Sequence, residues 1–337
     1  MIYKINYIPD IRNICSYING VGKVVFKTAD VMKYYVPNKT EKTKEVTKLN
    51  IKEQDDEIYQ IKQEELEENK TVTPQKSIPT VPTSIDIGNL EKTIGKLYLF
   101  ESTVSIATKD MHLEKLVNEK LTVTQDTDKP KILIFHTHSQ EDFVDSRAGN
   151  EEDSVIGLGN RLANILYTKY KIKSLHDKGK YDVVKGKLHR DGSYTRAGEN
   201  IEKILKANPQ IEVVIDIHRD GVPESVKLVH DVNKNKTARI MFVNGVCEKM
   251  TDGKMQKINN LPNNYISTNM AFSLQMQLEA NKRFPGLMRK ILIKPYRYSL
   301  YMRPKSLLVE IGAQTNTVTE AKNAMEPLAE VLTKVIG

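Results

Sequence analysis

The chain has 337 residues, 39% of them apolar, with 51 basic and 43 acidic side chains and a formal charge of +8. That is room for one large domain or two modest ones. Two cysteines, Cys15 and Cys247, exclude a disulfide scaffold and a cysteine-based zinc site, and allow at most one bridge. No stretch approaches the roughly 18 apolar residues of a membrane span, and the start, MIYKINYIPD, lacks the apolar core of a signal peptide. Charge is uneven: Glu41–Lys70 holds ten acidic and six basic residues, whereas Lys131–Gly337 holds 32 basic and 23 acidic. A basic domain suits anionic surroundings such as nucleic acid, phospholipid or a polyanionic wall. No aromatic-interleaved basic cluster, zinc-finger spacing or other nucleic-acid module accompanies the charge, so a nucleic-acid partner is not expected.

Residues 1–36 contain a few strand-like or short helical pieces and cannot build a core alone. Residues 37–84 are poor in apolar side chains and rich in Glu, Lys, Thr and Pro, which reads as a solvated linker with transient helix over Asp56–Asn69. Residues 85–130 carry short apolar runs and read as a lead-in segment. From Lys131 the pattern is that of a single α/β catalytic domain, residues 131–337, with a central, mostly parallel sheet flanked by helices. KILIFHTH is a short apolar run ending in polar chemistry, as a buried central strand would be. SVIGLGNRLANILYTKY follows with a helical period. A helix over Ala197–Ala207, the strand IEVVIDIH, the strand ARIMFVNG, a helix over Ile266–Phe284 and the strand SLLVEIG come next. The last helix opens at Thr317 with Glu320 three residues on, the signature of a capping box.

Three of these strands end in ionisable side chains. The first delivers His136, His138 and Glu141, the second Asp216, His218, Arg219 and Asp220, the third Glu310. In open α/β sheets ligands bind in the crevice beyond the carboxyl ends of the strands. What converges there is the inventory of a catalytic zinc site: nitrogen and oxygen ligands, an open position, and a further carboxylate to move protons. His138 and Glu141 form a His-x-x-Glu where strand gives way to loop. His136 and His138 would share a face if the strand runs through both. On this reading His138, Glu141 and His218 are the ligands, and His136 lines the site or steadies the transition state. Glu310, placed after SLLV where burial raises a carboxyl pKa, is the general base. Arg219 steadies an oxyanion or a substrate carboxylate, and Asp216 and Asp142 orient a ligand imidazole through its other nitrogen. His112, His176, His189 and His230 have no partner at a recognisable spacing and read as surface or loop residues. The same residues would also serve a polar cleft without metal.

The segments ILIFHTHSQEDF, VVIDIHRDG, ARIMFVNG, FPGLMRKI and LLVEIGAQTNTVTEA, in this order, resemble the stage II sporulation protein P family of spore-forming bacteria over roughly residues 131–337. The resemblance implies a zinc-dependent N-acetylmuramoyl-L-alanine amidase, with one zinc ion, that removes stem peptides from peptidoglycan; some members are also described as endopeptidases. It implies a role in forespore engulfment, an extracytoplasmic place where membrane and wall meet, and two partners. These are a stage II sporulation protein D-like lytic transglycosylase and a membrane protein. Carried over by position, the family's first histidine falls on the His136/His138 pair, its downstream histidine on His218 and its strand glutamate on Glu310. The acidic ligand falls on Glu141. The wider amidase group takes a glutamate near the start of the following helix, where Glu151 and Glu152 stand here. Members are usually tethered by an N-terminal membrane helix, which is not visible in this sequence. Two other functions suit the same motifs: a zinc endopeptidase or carboxypeptidase acting on wall peptides, and a non-catalytic wall-binding module.

Overall fold

A computed structural model describes residues 81–124 and 128–337. The expectations for the N-terminal segment, nearly all of the linker, and Cys15 lie outside the described residues; Cys247 is a buried free thiol. In chain order come α1 (Leu90–Leu97), β1 (Tyr98–Phe100), α2 (Leu113–Asn118), β2 (Ile132–Phe135), α3 (Val155–Tyr170) and β3 (Ser174–His176). The pair β4 (Val183–Val184) and β5 (Lys187–Leu188) precedes α4 (Ser193–Ala207) and β6 (Val213–Asp220). A hairpin of β7 (Val229–Val232) and β8 (Asn235–Ala238) leads to β9 (Ile240–Gly245), and a second, of β10 (Glu248–Thr251) and β11 (Lys254–Lys257), leads to α5 (Ile266–Arg283). Then follow β12 (Ile291–Lys294), β13 (Lys305–Ala313), α6 (Val318–Asn323) and α7 (Met325–Ile336).

Seven strands form one sheet in the order β1-β12-β9-β13-β6-β2-β3. β3, β2, β6 and β13 are parallel to one another, as are β9, β12 and β1, and the two sets meet antiparallel along β13 and β9. The mostly parallel α/β sheet expected from the alternation of elements is therefore what forms. Its one antiparallel seam has a local cause. A parallel return needs a crossover, usually a helix, whereas only a hairpin separates β6 from β9, so β9 runs back. Residues 98–100, within the segment read as a lead-in, add the outermost strand.

Alternation along each strand sends side chains to two different layers. Ile132 and Ile134, Val213, Ile215 and Ile217, and Leu307, Val309 and Ile311 join the large core beneath α3, α5 and α7. On the other face, Leu133, Phe135 and Val214 pack under Ala197, Ile201 and Leu205 of α4. Leu308 lies there too, with Tyr194, Tyr296 and Tyr298. The same alternation puts Asp216 and His218 on the α4 face. Glu310 pairs in register with His218.

Local chemistry fixes where these elements stop. The expected capping box is formed: Thr317 Oγ1 accepts from the Glu320 amide at 3.2 Å, and Glu320 Oε2 from the Thr317 amide at 2.9 Å. Just past Glu310, the β13 pairing slips and Gly312 adopts φ +59. A Cβ on Gly312 would stand 2.5 Å from Asn316 Oδ1, the atom that takes the Ala313 amide, so only glycine lets the chain leave the sheet there.

Candidate active site

The carboxyl ends of β2, β6 and β13 open at one edge of the sheet, and the side chains expected there meet. His218 stands between two carboxylates, with Nε2 2.9 Å from Asp216 Oδ1 and Nδ1 3.5 Å from Glu141 Oε2. Asp216 also accepts from the Thr137 amide at 2.9 Å and from Thr137 Oγ1 at 2.7 Å, which ties the loop after β2 to β6. Glu141 Oε2 takes the Arg219 amide at 2.9 Å. The rings of His138 and His218 lie 5.2 Å apart, nearly perpendicular. Two imidazole nitrogens each about 2.0–2.1 Å from one tetrahedral zinc would hold their ring centres about 5 Å apart. Tyr194, at the start of α4, packs edge-on to His138 at 5.5 Å and stacks over His218 at 6.3 Å. His138 Nδ1 faces Ser193 Oγ at 3.4 Å.

Burial sets the charge states. Burial, with the charges of His218 and Arg190, holds His138 down at about 3 against the pull of Glu141 and Asp216. It works against charge on His218 as well, but Asp216 and Glu141 outweigh it and lift that imidazole well above its ordinary range. Burial likewise opposes ionisation of Glu141 and Asp216, yet His218 holds both below the usual carboxylate range. Glu310 goes the other way: burial, with the carboxylates of Asp220 and Glu141, raises it to about 8 against the pull of His218. Glu310 keeps some open surface, but its Oε2 is enclosed and makes no hydrogen bond.

Several expectations turn out differently in detail. β2 ends at Phe135, so His136 and His138 part company. His136 points toward α3, donating from Nδ1 to the Ile217 carbonyl at 3.0 Å and meeting His176 Nε2 through Nε2 at 2.8 Å. His176, read from the sequence as a surface or loop residue, is thus the half-buried second member of an imidazole pair, with its Nδ1 3.1 Å from Asn160 Oδ1. His112 and His189 are exposed, and His230 is half-buried. Arg219 spends its guanidinium on the carbonyls of Asp142 and Asp220, while the Asp142 side chain faces solvent. Glu151 pairs with Lys180 and Glu152 with Asn160, both on the surface.

Sequence reasoning missed Thr137, Arg190, Ser193 and Tyr194. Starting α4 at Ala197 hid the last two; the apolar period carried back from Ala197 and Ile201 places Tyr194 on the same face. Arg190 has Nη2 3.3 Å from Glu141 Oε1.

Among the described residues no three His, Cys, Asp or Glu side chains already converge on one point. The donor chemistry still suits a borderline cation: two imidazoles and a carboxylate lie together, each buried, with His218 Nε2 2.9 Å from Asp216 and His138 Nδ1 3.4 Å from Ser193.

Comparison with known proteins gives concordant matches. The family described as Stage II sporulation protein P (SpoIIP) matches residues 12–333. Stage II sporulation protein P of Bacillus subtilis (strain 168) is 25% identical over 224 residues, covering 62% of this chain and 51% of its own. The chain thus spans about half the length of that relative. Among solved structures, the CwlD amidase from Clostridioides difficile in complex with the GerS lipoprotein is 14% identical, with TM-score 0.37, over 61% of this chain and 98% of that one. The catalytic domain of CwlV, an N-acetylmuramoyl-L-alanine amidase from Bacillus (Paenibacillus) polymyxa var. colistinus, is 12% identical, with TM-score 0.34, over 61% and 96%. The match to the family profile spans nearly the whole sequence and includes every residue of the cluster, so this chain is a member of the stage II sporulation protein P family.

Proposed function

We propose that this protein is a zinc-dependent peptidoglycan hydrolase of sporulation that cuts the amide between N-acetylmuramic acid and the L-alanine of the stem peptide. The observation that carries the reading is the meeting of His138, Glu141 and His218 beside Glu310, whose enclosed Oε2 makes no hydrogen bond, at the carboxyl ends of three strands. His138 would offer Nε2, since Nδ1 faces Ser193. His218 would offer Nδ1, since Nε2 faces Asp216. Glu141 would complete the set. When bound, zinc supplies a Lewis acid that polarises the scissile carbonyl and acidifies a water.

The rest of the chemistry belongs to the chain. Glu310 Oε2 takes the proton of the attacking water and passes it to the departing amine nitrogen. Asp216 holds the His218 ring in orientation, and the Arg219 amide holds Glu141. Tyr194 covers both imidazoles and keeps bulk water from them. Arg219, with its guanidinium already clamped, acts here through its backbone. His136 keeps the Ile217 carbonyl in place rather than touching substrate. Family membership supports action in forespore engulfment beside a stage II sporulation protein D-like lytic transglycosylase and a membrane partner, outside the cytoplasm. No helix among the described residues is long and apolar enough to cross a membrane.

Digestion of purified sacculi, followed by mass spectrometry, tests the reaction. An amidase leaves bare glycan and peptides with a free N-terminal alanine, and chelation abolishes that product. Peptides shortened or unlinked with their muramyl amide intact would replace this reading with a zinc peptidase. Glu310→Gln should retain zinc and lose about 10²–10⁴-fold in kcat, the usual weight of a positioned general base. Full turnover in that variant would remove Glu310 from the mechanism.

A further inference from the structure

We propose that Arg190 is the anion-binding residue of this site, taking a free carboxylate of the stem peptide beside the scissile amide and making the enzyme selective for substrates that carry it. This rests on the amidase reading above.

The argument begins with how arginines around the site use their donors. A guanidinium has five N–H groups in a fixed fork. Arg196 gives its fork to the carbonyls of Tyr181, His189 and Asp191. Arg219 gives its own to Asp142 and Asp220, and Arg289 donates to Asp220 at 2.7 Å. Arg190 differs. Its guanidinium pairs with Glu141 Oε1 at 3.3 Å, and its side chain is 36% exposed against 4% for Glu141. The fork therefore reaches from the buried cluster to solvent.

This placement is held from both sides. The carbonyls flanking Arg190, those of His189 and Asp191, are the ones Arg196 grips at 2.6 and 2.7 Å. The Arg190 carbonyl takes the Ser193 amide at 2.8 Å, and the His189 amide reaches the Asp182 carbonyl at 2.7 Å. A solvated surface arginine needs no such anchorage; a recognition residue does. Charge points the same way. Once Glu141 gives its charge to a cation, the mouth beside Arg190 becomes net positive and attracts an anion. The sugar side of the scissile amide has no carboxylate to offer, because its lactyl carboxyl is consumed in the bond. A stem peptide whose second residue is joined through its side-chain carboxyl does offer one, a free α-carboxylate that a guanidinium fork can take with two hydrogen bonds.

The test uses the full chain and two muramyl peptides that differ in one group, a free carboxylate or a carboxamide on the second residue. The wild type should prefer the carboxylate by roughly tenfold or more in kcat/KM, mostly through KM, as a charge-assisted bond commands. Arg190→Gln should erase that preference while zinc content stays unchanged, and Arg190→Lys should restore part of it. A second arm measures binding of the two released peptides by calorimetry. A wild type that treats both substrates alike, or an Arg190→Gln that keeps the preference, overturns the proposal. If the wild type cuts neither substrate, the amidase reading fails, and the peptides still decide Arg190: equal or absent binding overturns it.

Discussion

Gly159, in the second turn of α3, offers a direct test of the architecture around the imidazole pair. Replacing an interior helical glycine by alanine normally stabilises by about 1 kcal/mol through backbone entropy. At Gly159, however, a Cβ would stand 2.4 Å from His176 Nε2 and 2.8 Å from His136 Nε2. Ordinary contacts need about 3.5 Å, so the rings would have to move by about 1 Å. Neither ring is free to do so without loss. His136 is held by the Ile217 carbonyl, His176 faces Asn160, and the two meet at 2.8 Å. Breaking that contact leaves a buried nitrogen unsatisfied, at a cost of about 1–3 kcal/mol, to which overpacking adds about 1–3 more. The clash outweighs the entropy, and Gly159→Ala should lose at least about 1 kcal/mol. Gly95 in α1 is the control, since nothing lies within 4 Å of its Cβ position. Gly95→Ala should gain up to about 1 kcal/mol. In a domain of this size that is a separation of several degrees in Tm, at about 2–4 °C per kcal/mol. Thermal and urea unfolding of both variants decides it. A Gly159→Ala protein as stable as Gly95→Ala would refute the packing argument.

Two further outcomes follow from the site. Burial holds the pKa of His176 at about 3, below its ordinary 6.5, so the folded form keeps the ring neutral where the unfolded chain takes up a proton. Its contribution to stability is therefore present above 6.5 and is lost as pH falls from about 6.5 toward about 3. His176→Gln should flatten the fall of the urea midpoint between pH 7 and 5, and an unchanged slope would count against a neutral buried ring. The three candidate acidic ligands separate by zinc stoichiometry. Glu141→Gln should purify with little zinc, whereas Glu151→Gln and Glu152→Gln should match the wild type; the reverse result would move the ligand to the start of α3.

The elements easiest to read in the sequence were those with a long, regular period. α3, α5, β6, β9 and β13 all lie where apolar spacing put them, and the Thr317 box forms as its residue types require. β12 escaped notice because Ile291–Lys294, three apolar residues and a lysine, carries too little period to tell strand from helix. β3 escaped because Ser174, Leu175 and His176 are all only half-buried at the sheet edge. The polar strand ends of β2, β6 and β13 were legible as a convergence, since strand direction alone aims them at one crevice. What could not be read was the division of labour between His136 and His138. That depends on β2 stopping one residue before His136, a limit set by pairing with β6 and β3 rather than by anything local. Arg190 was invisible for a similar reason, because its meeting with Glu141 joins positions 49 residues apart on two irregular loops.

β6 carries both His218 and the aspartate that orients it, two positions apart on one pleated segment. In an extended strand alternate side chains share a face, so Asp216 and His218 meet within a single tripeptide. Glu141 and Glu310 must wait for distant stretches of chain to dock. The cluster thus joins one pairing that is local in sequence to two acids brought in over long stretches of chain, and a change in how those stretches dock would alter their approach to His218 while leaving its contact with Asp216 within one strand.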